Sequence, residues 1–380
     1  GSYIMKDIQH PAYQQLKEIF AELSQLEYLK NRLGFALPPT STSYFEQAKK
    51  TFEKKIENSQ NTVLGMVVLN KLTREILGDE RIPDLLQSAE SESLSPIDKE
   101  NLRLMGKQYR LSKISYPDEL LESLRSVKAK LNEAYFKNSK KTWEKIEPIF
   151  AELCKIKQQM LEINSHVLNC SPYDVALDGY APGFTQAAFD EIIVKIKNNI
   201  LRWREKIFLN QSKQSPLKPI VELEPIQAKK LSDIIMNMMG LKTADAVRIH
   251  EYEFALTEGY PYDLQIYIPY AKKDPIDLIF DVIHETGHAK YLMGIPPAIH
   301  NQPVGELRID LDNGITMQNM ATDESMALIF EHFICRSRHF WVYFSGLLQA
   351  ELGNHPSLSA ENLYRYVNYV KLTPNRLEAD

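Results

Sequence analysis

The stretch Asp274-Pro275-Ile276-Asp277-Leu278-Ile279-Phe280-Asp281-Val282-Ile283-His284-Glu285-Thr286-Gly287-His288, continued by Ala289-Lys290-Tyr291-Leu292-Met293-Gly294, decides how this chain is read. It opens with an aspartate suited to an N-cap and a proline suited to the first helical position. Asp277 follows where the helix dipole favours negative charge. Ile276, Ile279, Phe280, Ile283 and Leu292 recur at helical spacing, and Gly294 before Pro296-Pro297 marks a stop. His284 and His288 lie one turn apart, so their rings project from one face and can share a metal ion. Glu285, one position round, can reach a metal-bound water without displacing it, as a general base must. Gly287 costs about 1 kcal/mol of helix propensity, which implies close approach of a neighbouring backbone or a substrate strand.

A metal ion that holds a reactive water takes three protein ligands and keeps one position open. No histidine follows His288 at the HExxHxxGxxH spacing, where Gly294, Ile295 and Pro296 stand instead. Glu324 is the expected third ligand. It opens a largely apolar run, Met326, Ala327, Ile329 and Phe330, in which a charged group needs a partner. Thr322 and Asp323 read as helix caps, and Asp323 is the competing ligand, about 100° round the helix from Glu324. Glu331, two turns beyond Glu324, shares its face and is expected to hold a ligand histidine by its distal N–H. Two imidazoles and a carboxylate suit Zn2+, with Co2+ or Mn2+ as alternatives.

The rest of the composition narrows the class. With 380 residues and 44% hydrophobic content the chain can bury a large core. Its 45 basic and 50 acidic residues leave a net charge of -5, which gives no basic surplus for nucleic acid or a membrane surface. Cys154, Cys170 and Cys335 are far apart and read as free thiols, which fits a cytoplasmic protein. Gly1-Ser2 reads as a cloning scar, which leaves room for an export signal at the natural start. No apolar run is long enough for a transmembrane helix.

Along the chain, residues 10–210 are expected to be helical, in segments near 12–33, 43–78, 97–110, 117–169 and 185–209. Pro148 should kink or divide the fourth of these. Cys170-Ser171-Pro172 is a stop, and Asp178 to Gly183 a connector. Residues 211–219 form a linker into a catalytic region at 211–380, continuous in fold with the part before it. There a helix over Gln227–Met239 is closed by Gly240. Short strands are expected at Arg248–Tyr252, Phe254–Leu256 and Leu264–Tyr270, around a turn at Glu258-Gly259-Tyr260-Pro261. The expected fold is mainly α with a small β-sheet beside the metal motif. His250, His332 and His339 are expected in packing or surface roles.

These residues also carry a family resemblance. His284-Glu285-Thr286-Gly287-His288-Ala289 with Tyr291 resembles the HExGHAxY segment of M32 zinc carboxypeptidases, the carboxypeptidase Taq type. Asp323-Glu324-Ser325 is similar to the family's HES, and Arg336-Ser337-Arg338 with Phe340-Trp341 to the segment after HES. Tyr173-Asp174 through Thr185 resembles YDxLLDxYEPGMT, and Pro374 to Asp380 the start of PSLIRVEADEVTY. The resemblance implies a helical HExxH-plus-glutamate metallopeptidase fold with a deep groove, and often a homodimer. It implies His284, His288 and Glu324 as ligands and Glu285 as base.

There are departures. Asp263-Leu264-Gln265-Ile266-Tyr267 stands where the family has DxRxT, so Gln265 replaces its arginine and Tyr267 its threonine. Asp323 replaces the histidine of HES. The interval from Met293 to Asn319 is longer than usual and reads as an insertion at the cleft rim. Family members also continue past the point where this chain stops, through a region bearing tyrosine and arginine residues that act on the substrate.

The expected reaction is zinc-dependent hydrolysis of peptide bonds, with removal of C-terminal residues. Arg308, Arg336 and Arg338 are candidates for holding the substrate carboxylate. Tyr267, Tyr291, His300 or a partner chain are candidates for an oxyanion donor. Two alternatives remain: an oligopeptidase or endopeptidase acting on short peptides or one protein, and a catalytically impaired zinc protein that binds a peptide or protein.

Overall fold

The computed structural model describes residues 10–36, 64–134, 143–211, 215–219, 222–241, 247–252, 254–271, 274–307, 309 and 319–371. The chain divides into two compact units, residues 1–186 with 296–319, and residues 187–295 with 320–380.

The first unit is helical: α1 (Pro11–Ala36), α2 (residues 64–77), α3 (Ile82–Glu90), α4 (Pro96–Ser112), α5 (Asp118–Asn132), α6 (Trp143–Leu168) and α7 (Pro172–Tyr180). Ser-Pro pairs start two of them. Ser95 and Ser171 each accept a hydrogen bond from the backbone N–H three residues on, and the following proline takes the first helical position. Cys170-Ser171-Pro172 thus ends one helix and begins another, and Asp178–Tyr180 completes α7 rather than forming a connector. The break expected at Pro148 falls earlier, between Asn132 and Trp143. Pro148 lies in the second turn of α6, where it removes one rung of the ladder near the helix start without ending it. The part of the expected helix 43–78 before residue 64 lies outside the described residues.

Leu16, Phe20 and Leu23 of α1, Ile82 and Ala89 of α3 and Met105 of α4 form the main core here, together with Leu307 and Ile309 from the long interval after the metal motif. That interval is pinned by polar contacts too. The buried Asn101 amide donates to Tyr13 Oη at 3.0 Å and to Gln302 Oε1 at 3.1 Å, and its carbonyl accepts from Val304 N. Residues 296–307 therefore pack as part of the first unit's core.

The second unit contains α8 (Gln186–Gln211), whose first residue marks the boundary, then α9 (Pro225–Met238), β1 (Val247–Glu251), β2 (Leu256–Tyr260), β3 (Asp263–Ile268) and α10 (Pro275–Met293). After the interval come α11 (Met320–Leu328), a π-helical turn at Ile329–Ile334, α12 (Arg338–Leu352) and α13 (Ala360–Val367). The sheet order is β1-β3-β2, with β1 parallel and β2 antiparallel to β3. Central β3 buries Leu264, Ile266 and Ile268 completely.

The second strand spans 256–260 rather than 254–256, because Gly259 belongs to the strand and not to the turn. It pairs with Leu264 at φ +123°, and a Cβ there would meet the Asp263 carbonyl oxygen at 2.2 Å. The turn follows at Pro261-Tyr262. The architecture is mainly α with a small sheet just before the histidine helix.

Candidate metal centre and active site

Helix α10 starts as its sequence dictates, with Asp274 Oδ1 accepting from Ile276 N at 2.9 Å and Pro275 at the first position. It is buried on nearly every side, including Ile279, Val282, Ile283, Thr286 and Gly287. Its tightest neighbour is α11. A Cβ on Gly287 would lie 2.7 Å from Ala327 Cα, so the bare glycine is what lets the two backbones approach. Three positions before Ala327 stands Glu324, which this crossing brings to the two histidines.

His284 Nε2 and His288 Nε2 are 3.1 Å apart, and each is 3.4 Å from one carboxylate oxygen of Glu324. The distal ring nitrogens face other carboxylates: His288 Nδ1 lies 2.8 Å from Asp323 Oδ1, and His284 Nδ1 2.9 Å from Glu331 Oε2. A carboxylate only accepts, so each Nδ1 carries the proton and each Nε2 presents a lone pair to the centre of the cluster.

Lone pairs and an anion converging in this way repel one another unless a cation stands among them. Donors about 2.0–2.1 Å from a tetrahedral ion lie roughly 3.3 Å apart, close to the three separations found here. Glu324 Oε1 is buried with no hydrogen-bond partner, a further sign that the residues fit a metal ion. Without one, burial works against charging the imidazoles but the carboxylates outweigh it. Glu324 and Glu331 push His284 up to about 10, and Asp323 and Glu324 push His288 up to about 9. The same pairing holds Glu324 down at about 2.

Glu285 is buried beside the pair. Burial raises its pKa, against the lowering influence of Thr257 and the two imidazoles. The Thr257 hydroxyl on β2 donates to the Glu285 backbone carbonyl at 3.0 Å, so the sheet holds this turn of α10 in place.

A cavity of about 1080 Å³ opens on the His284 side of the cluster, with His284, Glu285, Glu331 and Arg336 in its wall. Tyr252, Phe254, Phe280, Tyr366 and Tyr369 give it aromatic surface, and Lys371 a second cation. Arg336 stacks over Phe280, donates to the Val367 carbonyl and lies 3.9 Å from Glu331.

Other expected residues stand elsewhere. Asp263 is paired with Arg248, and Gln265 donates to Asp263 at 3.1 Å while its carbonyl lies 2.7 Å from His250 Nε2. Tyr267 stacks on His250. None of these three lines the cavity. Tyr291 lies further along α10 and is likewise outside its wall, and Arg338 is paired with Glu361 at 2.6 Å. His300 belongs to the first unit, after the 3-10 turn Pro297–Ile299. Arg308 and the segment Pro374–Asp380 lie outside the described residues.

Thr322 and Asp323 are not caps, since α11 already begins at Met320 and Asp323 sits in its first turn. Its contact with His288 was not legible by spacing alone, because it depends on the antiparallel crossing of α10 and α11. Thr257, Lys371 and the aromatic wall carried no sequence signal that set them apart.

A helix bearing HExxH, crossed by a helix bearing glutamate beside a small sheet, defines the HExxH-plus-glutamate metallopeptidase class. Within that class, the profile described as Carboxypeptidase Taq (M32) metallopeptidase matches residues 47–380, and the chain belongs to this family. Carboxypeptidase 1 of Bacillus subtilis is 27% identical over 233 residues, covering 59% of this chain and 44% of that protein. Thermostable carboxypeptidase 1 of Thermus thermophilus is 22% identical, covering 83% of this chain and 62% of that protein. The chain thus spans less than two thirds of the length of either relative. Metallocarboxypeptidase 1 of Trypanosoma cruzi shares the fold, with a TM-score of 0.76 at 20% identity over 98% of this chain and 69% of that one.

Proposed function

We propose that this chain hydrolyses peptide bonds with a zinc ion held by His284, His288 and Glu324, removing residues from the C-terminal end of peptides. The observation that carries the reading is the convergence of two imidazole lone pairs and a carboxylate on one point, with Glu285 buried beside it. Zinc bound there would polarise the scissile carbonyl and acidify its water.

The protein's own part is positioning and proton transfer. Glu285 takes the proton of the attacking water and returns it to the leaving nitrogen. Burial raises its pKa toward the working range of a general base. Thr257 keeps the Glu285 backbone fixed while this happens. Arg336 and Lys371 in the cavity wall offer positive charge to a substrate carboxylate, and the aromatic wall offers surface to its side chains. Membership of the family supports the carboxypeptidase reading over a purely binding role, and so does the retained base.

An oligopeptidase is the second reading. It is favoured by Gln265, which is tied to Asp263 and His250 where the family places an arginine. One experiment separates the two. Peptides of defined sequence, with free or amidated C-termini, are incubated with the zinc-loaded protein, and the products are weighed by mass spectrometry. Single amino acids released only from the free-ended peptides are expected, and equal cleavage of the amidated set would overturn the exopeptidase assignment.

A further inference from the structure

We infer that Asp323 is a positioning residue for the metal centre: through His288 Nδ1 it fixes the tautomer and ring orientation that aim Nε2 at the ion. The inference rests on the zinc reading above and goes beyond the three ligands and the base.

Helices α10 and α11 run antiparallel past the Gly287–Ala327 crossing, as the pairing of Asp323 with His288 and of Glu331 with His284 shows. Glu324 lies between them and reaches both inner nitrogens. One continuous segment therefore supplies a ligand and, on either side of it, a carboxylate behind each histidine. Asp323 is partly buried, and its 2.8 Å contact is a normal length for a charge-assisted hydrogen bond. Its position in the first turn of α11 is also where a helix favours an acid. A purely structural explanation is thus available, and the test must separate the two.

An imidazole free to rotate or to protonate on the wrong nitrogen spends part of its time unable to bind metal. A carboxylate on the distal N–H removes both states and makes the ring more basic. Loss of such a partner typically weakens metal binding about 10- to 100-fold.

The test uses the whole chain and the metal alone. Zn2+ affinity is measured by competition with a chromophoric chelator, and the Co2+-substituted protein is examined by visible absorption, for wild type, Asp323→Ala, Asp323→Asn and Glu331→Gln. Thermal unfolding of each metal-free protein reports any general damage to α11. Asp323→Ala is expected to weaken zinc binding by about 10- to 100-fold and to shift the Co2+ bands. Asp323→Asn, which still accepts a hydrogen bond, should fall in between, with unfolding of the metal-free protein close to that of wild type. If both Asp323 variants bind within two-fold of wild type with unchanged Co2+ spectra, the positioning role is wrong. If affinity falls only in step with the unfolding temperature, Asp323 is a helix-end charge and the inference is again wrong. If the wild type itself binds neither ion, the zinc reading fails first, a result distinct from both.

Discussion

The Cα of Ala327 lies 2.7 Å from where a Cβ on Gly287 would stand, which makes the glycine of the HExxH motif a packing requirement set by a second helix. Glu324 is carried on that second helix, so the distance between the two backbones sets the distance between ligands.

Gly287→Ala is therefore expected to separate α10 from α11 despite its gain in helix propensity. Overpacking costs about 1–3 kcal/mol and the propensity gain is about 1 kcal/mol, so a net loss of roughly 1–2 kcal/mol should appear in denaturant unfolding, with weaker zinc binding. Gly346→Ala on α12 is the matched control. That position meets nothing within 4 Å, and the same substitution there should stabilise slightly. Equal effects at the two sites would contradict the packing account.

Glu285→Gln preserves shape and hydrogen bonding but cannot accept the proton. Turnover should fall on the order of 10³-fold, while zinc content, read by atomic absorption, stays at the wild-type level. Retained turnover in a zinc-loaded variant would remove Glu285 from the mechanism.

Zinc should also stabilise the fold. At a free concentration 100 times its dissociation constant the gain is about 2.7 kcal/mol, visible as a higher melting temperature that EDTA reverses. Glu324→Ala should abolish most of this response. A zinc-dependent shift of wild-type size in that variant would place the ion elsewhere.

The metal-free protein should respond to pH in the opposite sense from most acid-sensitive sites. Raised to about 10 and about 9 in the fold against 6.5 when unfolded, His284 and His288 contribute stability below pH 6.5 that is lost as pH rises through 9 to 10. Glu324, at about 2 against 4.5, contributes above pH 4.5 and loses its contribution as pH falls toward 2. The cluster therefore supports the fold most between pH 4.5 and 6.5. Zinc affinity should rise with pH over the alkaline range, because binding must expel the imidazole protons. Urea unfolding in EDTA at pH 5.5 and 9.5 tests the first statement, and greater stability from the cluster at pH 9.5 in wild type than in His284→Ala would refute it.

Much of this was written locally in the chain. The cap at Asp274, the stop at Gly294 and the periodic isoleucines place α10 almost to the residue, and the one-turn spacing of His284 and His288 places their rings. What local pattern could not give is which groups meet across helices. Asp323 looked like a cap because an acid before an apolar run is the ordinary sign of one, and only the crossing direction of α11 turns it toward His288. Gly259 looked like a turn residue because glycine favours turns, whereas here it serves the close approach of two strands. Pro148 looked like a break because the rule holds for helix interiors, and it sits near a helix start. Periodicity located α8, yet none of its residues is buried, since an amphipathic pattern specifies a helix without naming what lies against it.

The widened turn at Ile329–Ile334, where Cys335 N bonds back to Phe330 O at 3.0 Å, has a consequence for tolerance to change. It absorbs extra chain between the Glu324 end of the segment and Arg336. Removing a single residue there would restore the ordinary winding and swing everything downstream by about 100°. Arg336 would then leave Phe280 and Val367, and the cavity would lose that cation. Chain length between these points should thus be held more strictly than side-chain identity, and a deletion should be harsher than any point substitution within the turn.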